Sequence, residues 1–254
     1  MLIEEELTPV DSPTADPDPL VDVRDGRPWW KVSPFDRRGI GVVLGAYVVM
    51  TALFTGVGLL IVHVWEGTRL GRSDGDVNGW FADRRSERWD TLSDYGSMLS
   101  DTSTKVVLCL VLLPIFLALF RRWHDWAFIV AALLLEVTTF VSSATLVGRE
   151  RPPVEQIDSA PTASFPSGHI AASVTFYVGL AIVVCWHTRS LAVRIPFIVL
   201  AVVAPLAVTV SRLYRGMHYP TDALAGIALG AASLLVVWYA MRTTNERALA
   251  RRRA

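Results

Sequence analysis

The chain alternates long apolar blocks with short polar segments, and this pattern predicts its fold. Six blocks are almost free of charge and are long enough, or nearly so, to cross the hydrocarbon core of a bilayer. They cover residues 40–65, 106–120, 123–147, 170–186, 195–210 and 223–241. The second and fifth are short and contain Pro114 and Pro205, which membrane helices tolerate when neighbours satisfy the freed backbone groups. We therefore predict an all-α integral membrane bundle of six transmembrane helices.

The long connection after the first block has a different pattern. From Val77 to Leu92, apolar and basic positions recur at helical spacing, with two tryptophans and three arginines among them. A helix with one apolar and one basic face is typical of a helix that lies in the membrane interface. We predict one amphipathic interfacial helix in this first extracytoplasmic loop. The stretch Asp-Gly-Asp at 74–76, just before it, is interpreted as a turn rather than a metal site.

Basic residues at the ends of the blocks predict the orientation. If six blocks cross in alternation, one side carries the basic positions 31, 37–38, 121–122, 189, 194, 242, 247 and 251–253. The side that is richer in Lys and Arg is normally cytoplasmic. The opposite side also carries arginines, but several of them belong to polar clusters where chemistry can account for them. We therefore expect a multi-pass protein of the cell membrane with both termini in the cytoplasm and the polar clusters on the extracytoplasmic face.

Composition excludes an ordinary soluble domain. The chain is 52% hydrophobic, its mean hydropathy is +0.40 and its formal net charge is zero. Cys109 and Cys185 both lie inside apolar blocks, so neither a disulfide framework nor a metal–thiolate site is indicated. We expect no cofactor, no metal and no nucleic-acid partner. The predicted organisation is a disordered acidic cytoplasmic tail at 1–36, a membrane domain at 37–242 and a basic cytoplasmic tail at 243–254.

Polar clusters at the ends of the later blocks suit a phosphate group. Ser167 and Gly168 open the fourth block, so a hydroxyl, free backbone N–H groups and the positive end of a helix dipole coincide there. Arg151, before this block, and Arg212, at the end of the fifth, offer planar and permanently charged guanidinium groups. We expect these residues to converge on one phosphate from one side of the membrane.

The same clusters contain candidate catalytic side chains. His169 follows directly after Gly168, and His218 precedes Asp222 by four residues at the start of the sixth block. An imidazole near a carboxylate can act as a nucleophile or base whose tautomer is fixed. These residues alone therefore indicate covalent phosphoryl transfer, helped by positive charge placed around the phosphate.

The spacing of these residues resembles a known family. Positions 211–222 read Ser-Arg, five residues, His, three residues, Asp, and this is similar to the third signature of the type 2 phosphatidic acid phosphatases (PAP2). That superfamily is shared with the vanadium haloperoxidases. The run Pro-Ser-Gly-His at 166–169 resembles the second signature, and Arg-Pro at 151–152 resembles the end of the first. The six-block layout resembles the membrane lipid phosphate phosphatase branch of the family.

The resemblance implies a role for each matching position. His218 would attack phosphorus to give a phosphohistidine, and Asp222 would orient it. His169 would protonate the leaving oxygen and then activate water. No metal is implied. The phosphate oxygens would be held by Arg151, Ser167, Gly168 and Arg212.

Two residues depart from the family pattern or stand outside it. The first signature has lysine where this chain has Ala144, and the nearby cations Arg149 and Lys105 are the candidates to replace it. A lysine introduced at 144 is expected to raise phosphate release or leave it unchanged. Glu136 is an acid deep in the third block, at about 20 Å from Arg151 along a helix. We predict a protonated or hydrogen-bonded structural role for Glu136, out of reach of the phosphate.

The sequence thus predicts a membrane enzyme that hydrolyses a lipid phosphate monoester or diphosphate. Its other partners would be the surrounding membrane lipids. Undecaprenyl diphosphate is the favoured substrate, and phosphatidylglycerophosphate and phosphatidic acid are the other candidates. Two alternatives remain open, a lipid phosphotransferase and a catalytically weak lipid-phosphate-binding protein, the second suggested by Ala144.

Overall fold

The computed structural model describes residues 33–65, 67–120, 123–158 and 162–253. Every regular element in these ranges is helical. The helices are α1 Arg37–Leu60, α2 Arg69–Ala82, α3 Glu87–Met98, α4 Thr102–Phe120, α5 His124–Val147, α6 Gly168–His187, α7 Leu191–Tyr214 and α8 Pro220–Arg253, and α1 continues into a π-helical turn, Ile61–Trp65. The prediction of an all-α protein is confirmed for the described residues.

Five helices are long and apolar enough to cross a membrane. These spans are Arg37–Trp65, His124–Val147, Gly168–His187, Leu191–Tyr214 and Pro220–Ala248, and they correspond to five of the six predicted blocks. The second block falls on α4, whose described apolar part, Ser103–Leu112, is shorter than a full crossing. A sixth span therefore stays a prediction.

The bundle is built around α6. Of its most apolar window 72% is buried inside the protein, against 11% in α1 and 17% in α7, so α6 is the central helix and α1 and α7 are peripheral. It packs against α5, α7 and α8. Its contact with α8 is close, because a Cβ atom at Gly226 would lie 2.6 Å from the Ser167 carbonyl oxygen and one at Gly230 would lie 2.5 Å from that of Ala171. The small residues of α8 therefore bring its first turns against the start of α6.

The connection between α1 and α4 folds differently from the prediction. It forms two helices, α2 and α3, separated at residues 83–86, where we predicted one amphipathic helix. Ser86 is the extended N-cap of α3, with Glu87 and Asp90 in the first turn, and this combination favours a new helix start. Tyr214 of α7 secures the break, because its hydroxyl accepts from the Ser86 N–H at 3.1 Å and donates to Asp90 at 2.7 Å. The interfacial position of these helices stays a prediction.

The start of α1 and the last turns of α8 are held together by hydrogen bonds. Asp36 caps α1 by accepting from the Gly39 N–H at 2.7 Å, and it also binds the guanidinium of Arg247 at 2.8 Å. The Arg247 guanidinium holds the pKa of Asp36 well below its ordinary value. Helix α8 continues through the predicted basic tail to Arg253. Most of the predicted acidic tail, residues 1–32, lies outside the described residues, and the predicted domain boundaries stay predictions.

Candidate active site

The polar clusters meet at one end of the bundle, around a cavity of about 500 Å³. Five of the seven predicted site residues line it, namely Arg151, Gly168, His169, Arg212 and His218. The other two, Ser167 and Asp222, are fully buried behind it. Residues that are more than 60 positions apart in the chain thus line the same cavity. The cavity is also lined by Lys105 and Glu136, which the sequence analysis singled out, and by residues that it did not, which are Asp94, Ser97, Ser100, Asp101, Val137, Phe140, Asp158, Thr162 and Ala172.

His218 is held in one tautomer by a backbone contact. Its Nδ1 lies 2.8 Å from the carbonyl oxygen of Ser164. Because a carbonyl oxygen can only accept, Nδ1 carries the hydrogen and Nε2 keeps its lone pair. Burial, and then the charges of Arg151 and Arg212, hold the pKa of His218 well below its ordinary value of 6.5. The imidazole is therefore neutral near pH 7, as a nucleophile must be.

Asp222 supports His218 indirectly. The distance between Asp222 Oδ2 and His218 Nδ1 is 3.9 Å, too long for a hydrogen bond. Oδ2 instead accepts from the Ser164 hydroxyl at 2.5 Å and from the Tyr219 N–H at 2.9 Å. The carboxylate thus fixes the loop residue whose carbonyl oxygen orients the imidazole.

Arg149 is part of the buried hydrogen-bond network around Asp222 and does not line the cavity. Its guanidinium binds Asp222 at 2.5 Å and Asp74 at 2.9 Å, and Asp74 also accepts from the Thr221 N–H at 3.0 Å. Arg149 also stacks over the ring of Tyr219, 4.0 Å from its centroid. Both carboxylates therefore compensate its charge within the protein. The interpretation of residues 74–76 as a turn is wrong, because they lie inside α2, where Asp74 can reach Arg149.

His169 lies at the more open side of the cavity. It occupies the first turn of α6 and its side chain is 36% exposed. Its Nδ1 is 3.5 Å from Arg212 Nη2, and its Nε2 is 3.6 Å from a carboxylate oxygen of Asp101. The Ser100 hydroxyl donates to its backbone carbonyl. One imidazole is thus buried and neutral while the other has access to solvent, and this asymmetry suits a nucleophile and an acid–base group.

The start of α6 packs closely against Phe140 of α5. A Cβ atom at Gly168 would lie 2.8 Å from the ring of Phe140, so a larger residue would displace that ring. The backbone N–H of Ser167 donates to the Asp222 carbonyl oxygen at 3.1 Å, which fixes the helix start. The Ser167 hydroxyl is buried and has no hydrogen-bond partner among the described residues.

The two arginines of the cavity are held in different ways. Arg212 donates to the Ser97 hydroxyl at 2.8 Å and to the carboxylate of Asp158 at 3.0 Å. Asp158 also accepts from Arg215, and the Arg215 guanidinium is the main cause of its lowered pKa. Arg151 donates to backbone carbonyl oxygens of Met217 and Thr162. Its charge therefore has no carboxylate partner within ion-pair distance among the described residues.

Of the two candidates to replace the family lysine, Lys105 lines the cavity and Arg149 does not. Ala144 is buried and is not part of the cavity lining, whereas Lys105 of α4 lines it with Nζ 3.4 Å from the Ser100 hydroxyl. Glu136 lines the same cavity as Arg151, so our expectation of a purely structural role for this acid does not account for its position. The rise per residue of a helix gave the distance between Glu136 and Arg151. It could not show that the cavity extends along α5.

Comparisons with known proteins are consistent with this geometry. Residues 124–246 match the family model described as the PAP2 superfamily. A stretch of 120 residues is 35% identical to YbjG of Escherichia coli (strain K12), named as an undecaprenyl-diphosphatase, and covers 43% of this chain and 56% of that protein. A stretch of 93 residues is 32% identical to phosphatidylglycerophosphatase B of Bacillus subtilis (strain 168), covering 36% of this chain and 45% of that protein. The chain thus spans about half the length of these curated relatives.

A third relative and one crystal structure extend the comparison. A stretch of 119 residues is 29% identical to decaprenylphosphoryl-5-phosphoribose phosphatase of Mycobacterium tuberculosis (strain ATCC 25618 / H37Rv), covering 45% of this chain and 60% of that protein. The fold is similar to that of a transmembrane PAP2-type phosphatidylglycerolphosphate phosphatase from Bacillus subtilis, with a TM-score of 0.63 and 19% identity over 84% of this chain and 98% of the other. At this identity the likeness concerns the fold alone.

Proposed function

We propose that the protein, whose residues 124–246 match the family model of the PAP2 superfamily, is a membrane phosphatase that hydrolyses a phosphate monoester or diphosphate carried on a lipid. The observation that carries the proposal is the single cavity shared by His218, His169, Arg151 and Arg212. Two imidazoles with different access to solvent, together with two guanidinium groups, are the parts that covalent phosphoryl transfer requires.

The first half of the reaction is the transfer of the phosphoryl group to the protein. The lone pair of His218 Nε2 attacks phosphorus, and the bond between phosphorus and the lipid oxygen breaks. His169 gives its proton to that leaving oxygen, so the lipid departs as an alcohol, or as a lipid phosphate if the substrate is a diphosphate. Arg151, Arg212 and the Gly168 N–H hold the other phosphate oxygens while negative charge moves across them.

The second half regenerates the protein. A water molecule loses a proton to His169 and attacks phosphorus, the bond between phosphorus and Nε2 breaks, and inorganic phosphate leaves. Ser164 keeps the hydrogen of His218 on Nδ1 throughout, which leaves Nε2 available for each cycle. Asp222 contributes by fixing Ser164, and Ser167 by placing the Gly168 amide at the start of α6.

The orientation of the protein in the membrane is part of the proposal. The signature residues cluster at one end of the bundle, while the basic positions that we predict to be cytoplasmic include Arg37 and Arg247 near its joined termini. We place the cavity on the extracytoplasmic face and both termini in the cytoplasm. With Cys109 and Cys185 replaced by alanine, labelling of a single cysteine placed at residue 94 or at residue 246 with a membrane-impermeant maleimide in intact cells tests this, because only the cysteine at 94 should react.

The proposal is tested by phosphate release from a panel of lipid phosphates in detergent. The panel contains undecaprenyl diphosphate, phosphatidylglycerophosphate and phosphatidic acid, and EDTA is present throughout. We expect release by the native protein, loss of release in His218→Ala, and native release in His63→Ala, which removes an exposed histidine outside the cavity. Release that survives His218→Ala, or that needs an added divalent metal, would contradict the mechanism.

The same assay distinguishes the proposed phosphatase from the two alternative functions that the sequence left open. With a substrate labelled at phosphorus, the label should appear on His218 after a rapid quench and then in inorganic phosphate. Label that passes to an added lipid acceptor in preference to water would identify a phosphotransferase. Binding without label transfer would identify a lipid-phosphate-binding protein.

A further inference from the structure

One end of the cavity is lined by side chains that the proposed reaction does not use. We call this region the inner subsite. It is formed by Lys105 of α4, by Glu136, Val137 and Phe140 of α5, and by Ala172 of α6. Ala172 lies three residues beyond His169, so the inner subsite extends about one helical turn deeper into the bundle than the imidazole.

Glu136 is the polar residue of this region that lacks a partner. Its side chain is 2% exposed, and its Oε1 makes no hydrogen bond with any described residue. It nevertheless lines the cavity, so a molecule inside the cavity can reach it. A buried carboxyl oxygen without a partner is costly, and a hydroxyl group supplied by a ligand would remove that cost.

Lys105 places a positive charge at the same end, beside the catalytic imidazole. Its ammonium is 3.4 Å from the Ser100 hydroxyl, and that hydroxyl donates to the backbone carbonyl of His169. In the proposed reaction His169 gives its proton to the leaving oxygen. The inner subsite therefore lies on the His169 side of the cavity, where the leaving group departs in the proposed reaction.

We propose that Lys105 and Glu136 together bind a free hydroxyl of the leaving group. Resting on the proposed phosphatase activity, this assigns the substrate class as a phosphate monoester of a glycerol or sugar unit that is attached to a lipid. A hydroxyl uses both side chains, because its oxygen accepts from the ammonium and its hydrogen is donated to the unpartnered Oε1 of Glu136.

The test compares three probes with the native protein in detergent. They are phosphatidylglycerophosphate, its analogue in which the free spacer hydroxyl is replaced by hydrogen, and undecaprenyl diphosphate. We expect kcat/KM to fall by about 10- to 150-fold when the hydroxyl is removed, as for the loss of a hydrogen bond to a charged group. Undecaprenyl diphosphate should be cleaved no faster than the deoxy analogue. Equal rates with and without the hydroxyl, or a preference for the diphosphate, would overturn the proposal.

Variants of Glu136 assign the effect to this residue. Glu136→Leu should remove the preference for the hydroxyl, whereas Glu136→Gln should keep much of it, because an amide can still form a hydrogen bond with a hydroxyl. Asp94→Asn is the matched control, because Asp94 lines the outer part of the cavity with a side chain that is 62% exposed, and it should leave the ratio unchanged. A preference that survives Glu136→Leu would refute the assignment.

A binding measurement separates this proposal from the proposed activity. His218→Ala cannot form a phosphohistidine, so the affinities of the hydroxylated and deoxy lipids can be measured by titration without turnover. If the native protein releases no phosphate from any probe, the phosphatase proposal fails, while the affinity ratio still decides the hydroxyl subsite. A higher affinity for the hydroxylated lipid supports the subsite, and equal affinities rule it out.

Discussion

The position of His218 depends on a short hydrogen-bond chain that passes through Ser164. The imidazole donates to the Ser164 carbonyl oxygen at 2.8 Å, and the Ser164 hydroxyl donates to Asp222 at 2.5 Å. The change Ser164→Ala keeps the carbonyl and removes the hydroxyl, so it separates the loop from Asp222 without touching the imidazole. Asp222 keeps its contacts with Arg149 and the Tyr219 N–H.

The expected loss of activity in Ser164→Ala follows from the type of hydrogen bond that is lost. A hydrogen bond to a charged group contributes about 1.5–3 kcal/mol. If the looser loop costs that much transition-state stabilisation, kcat falls by about 10- to 150-fold. KM for a lipid phosphate should change little, because Arg151 and Arg212 are untouched. The assay is phosphate release at several lipid concentrations, with thermal unfolding of each variant to confirm folding and with Ser73→Ala, an exposed α2 serine, as the control.

A direct role for Asp222 predicts a different pattern. In that case Ser164→Ala would keep nearly native kcat, and Asp222→Asn would lose as much activity as His218→Ala. Our geometry predicts that Asp222→Asn chiefly lowers stability, because it breaks a buried pair with Arg149 and such losses cost about 3–5 kcal/mol. A well-folded Asp222→Asn variant without any activity, beside a fully active Ser164→Ala variant, would refute the indirect role.

Three further changes test other parts of the site. Lys105→Met should lower kcat/KM for a lipid phosphate with a free spacer hydroxyl by about 10- to 150-fold, with Lys105→Arg retaining more activity, because an ammonium that lines the cavity is lost. Asp158→Asn should tighten inhibition by orthovanadate about two- to fivefold, since Asp158 competes with an oxyanion for Arg212. Because the pKa of His218 lies well below 6.5 in the folded protein, only the unfolded chain takes up its proton just below that pH. Thermal stability should therefore fall on acidification below about pH 6.5, and His218→Gln should make that fall shallower.

The sequence could predict the helices and the convergence of the signatures. Lipid requires long uninterrupted apolar helices, so most spans are visible as blocks. Arg151, Gly168, His169, Arg212 and His218 all adjoin block ends that alternation places on one side, and their shared cavity follows from that topology. Both results depend on local pattern and on chain order, which a single sequence contains.

Other features depend on packing between helices, which periodicity does not determine. Lys105 enters the site because α4 lies beside the start of α6, and Glu136 enters it because the cavity extends along α5. The local pattern Asp-Gly-Asp favours a turn, whereas the partner of Asp74, Arg149, is 75 positions away and is brought to it only by the packing of the helices. The Ser86 helix start was visible as a cap residue followed by acids, but the helical spacing across it favoured one continuous helix.

The arginines near the signatures divide by what compensates their charge. Arg149 lies between Asp74 and Asp222, and Arg215 binds Asp158, so the protein itself neutralises both guanidinium groups. Such buried pairs fix structure but leave little charge for a ligand. Arg151 differs, because among the described residues its partners are carbonyl oxygens, which orient a guanidinium without neutralising it. The cavity therefore retains an oriented positive charge beside His218, where a phosphate can compensate it.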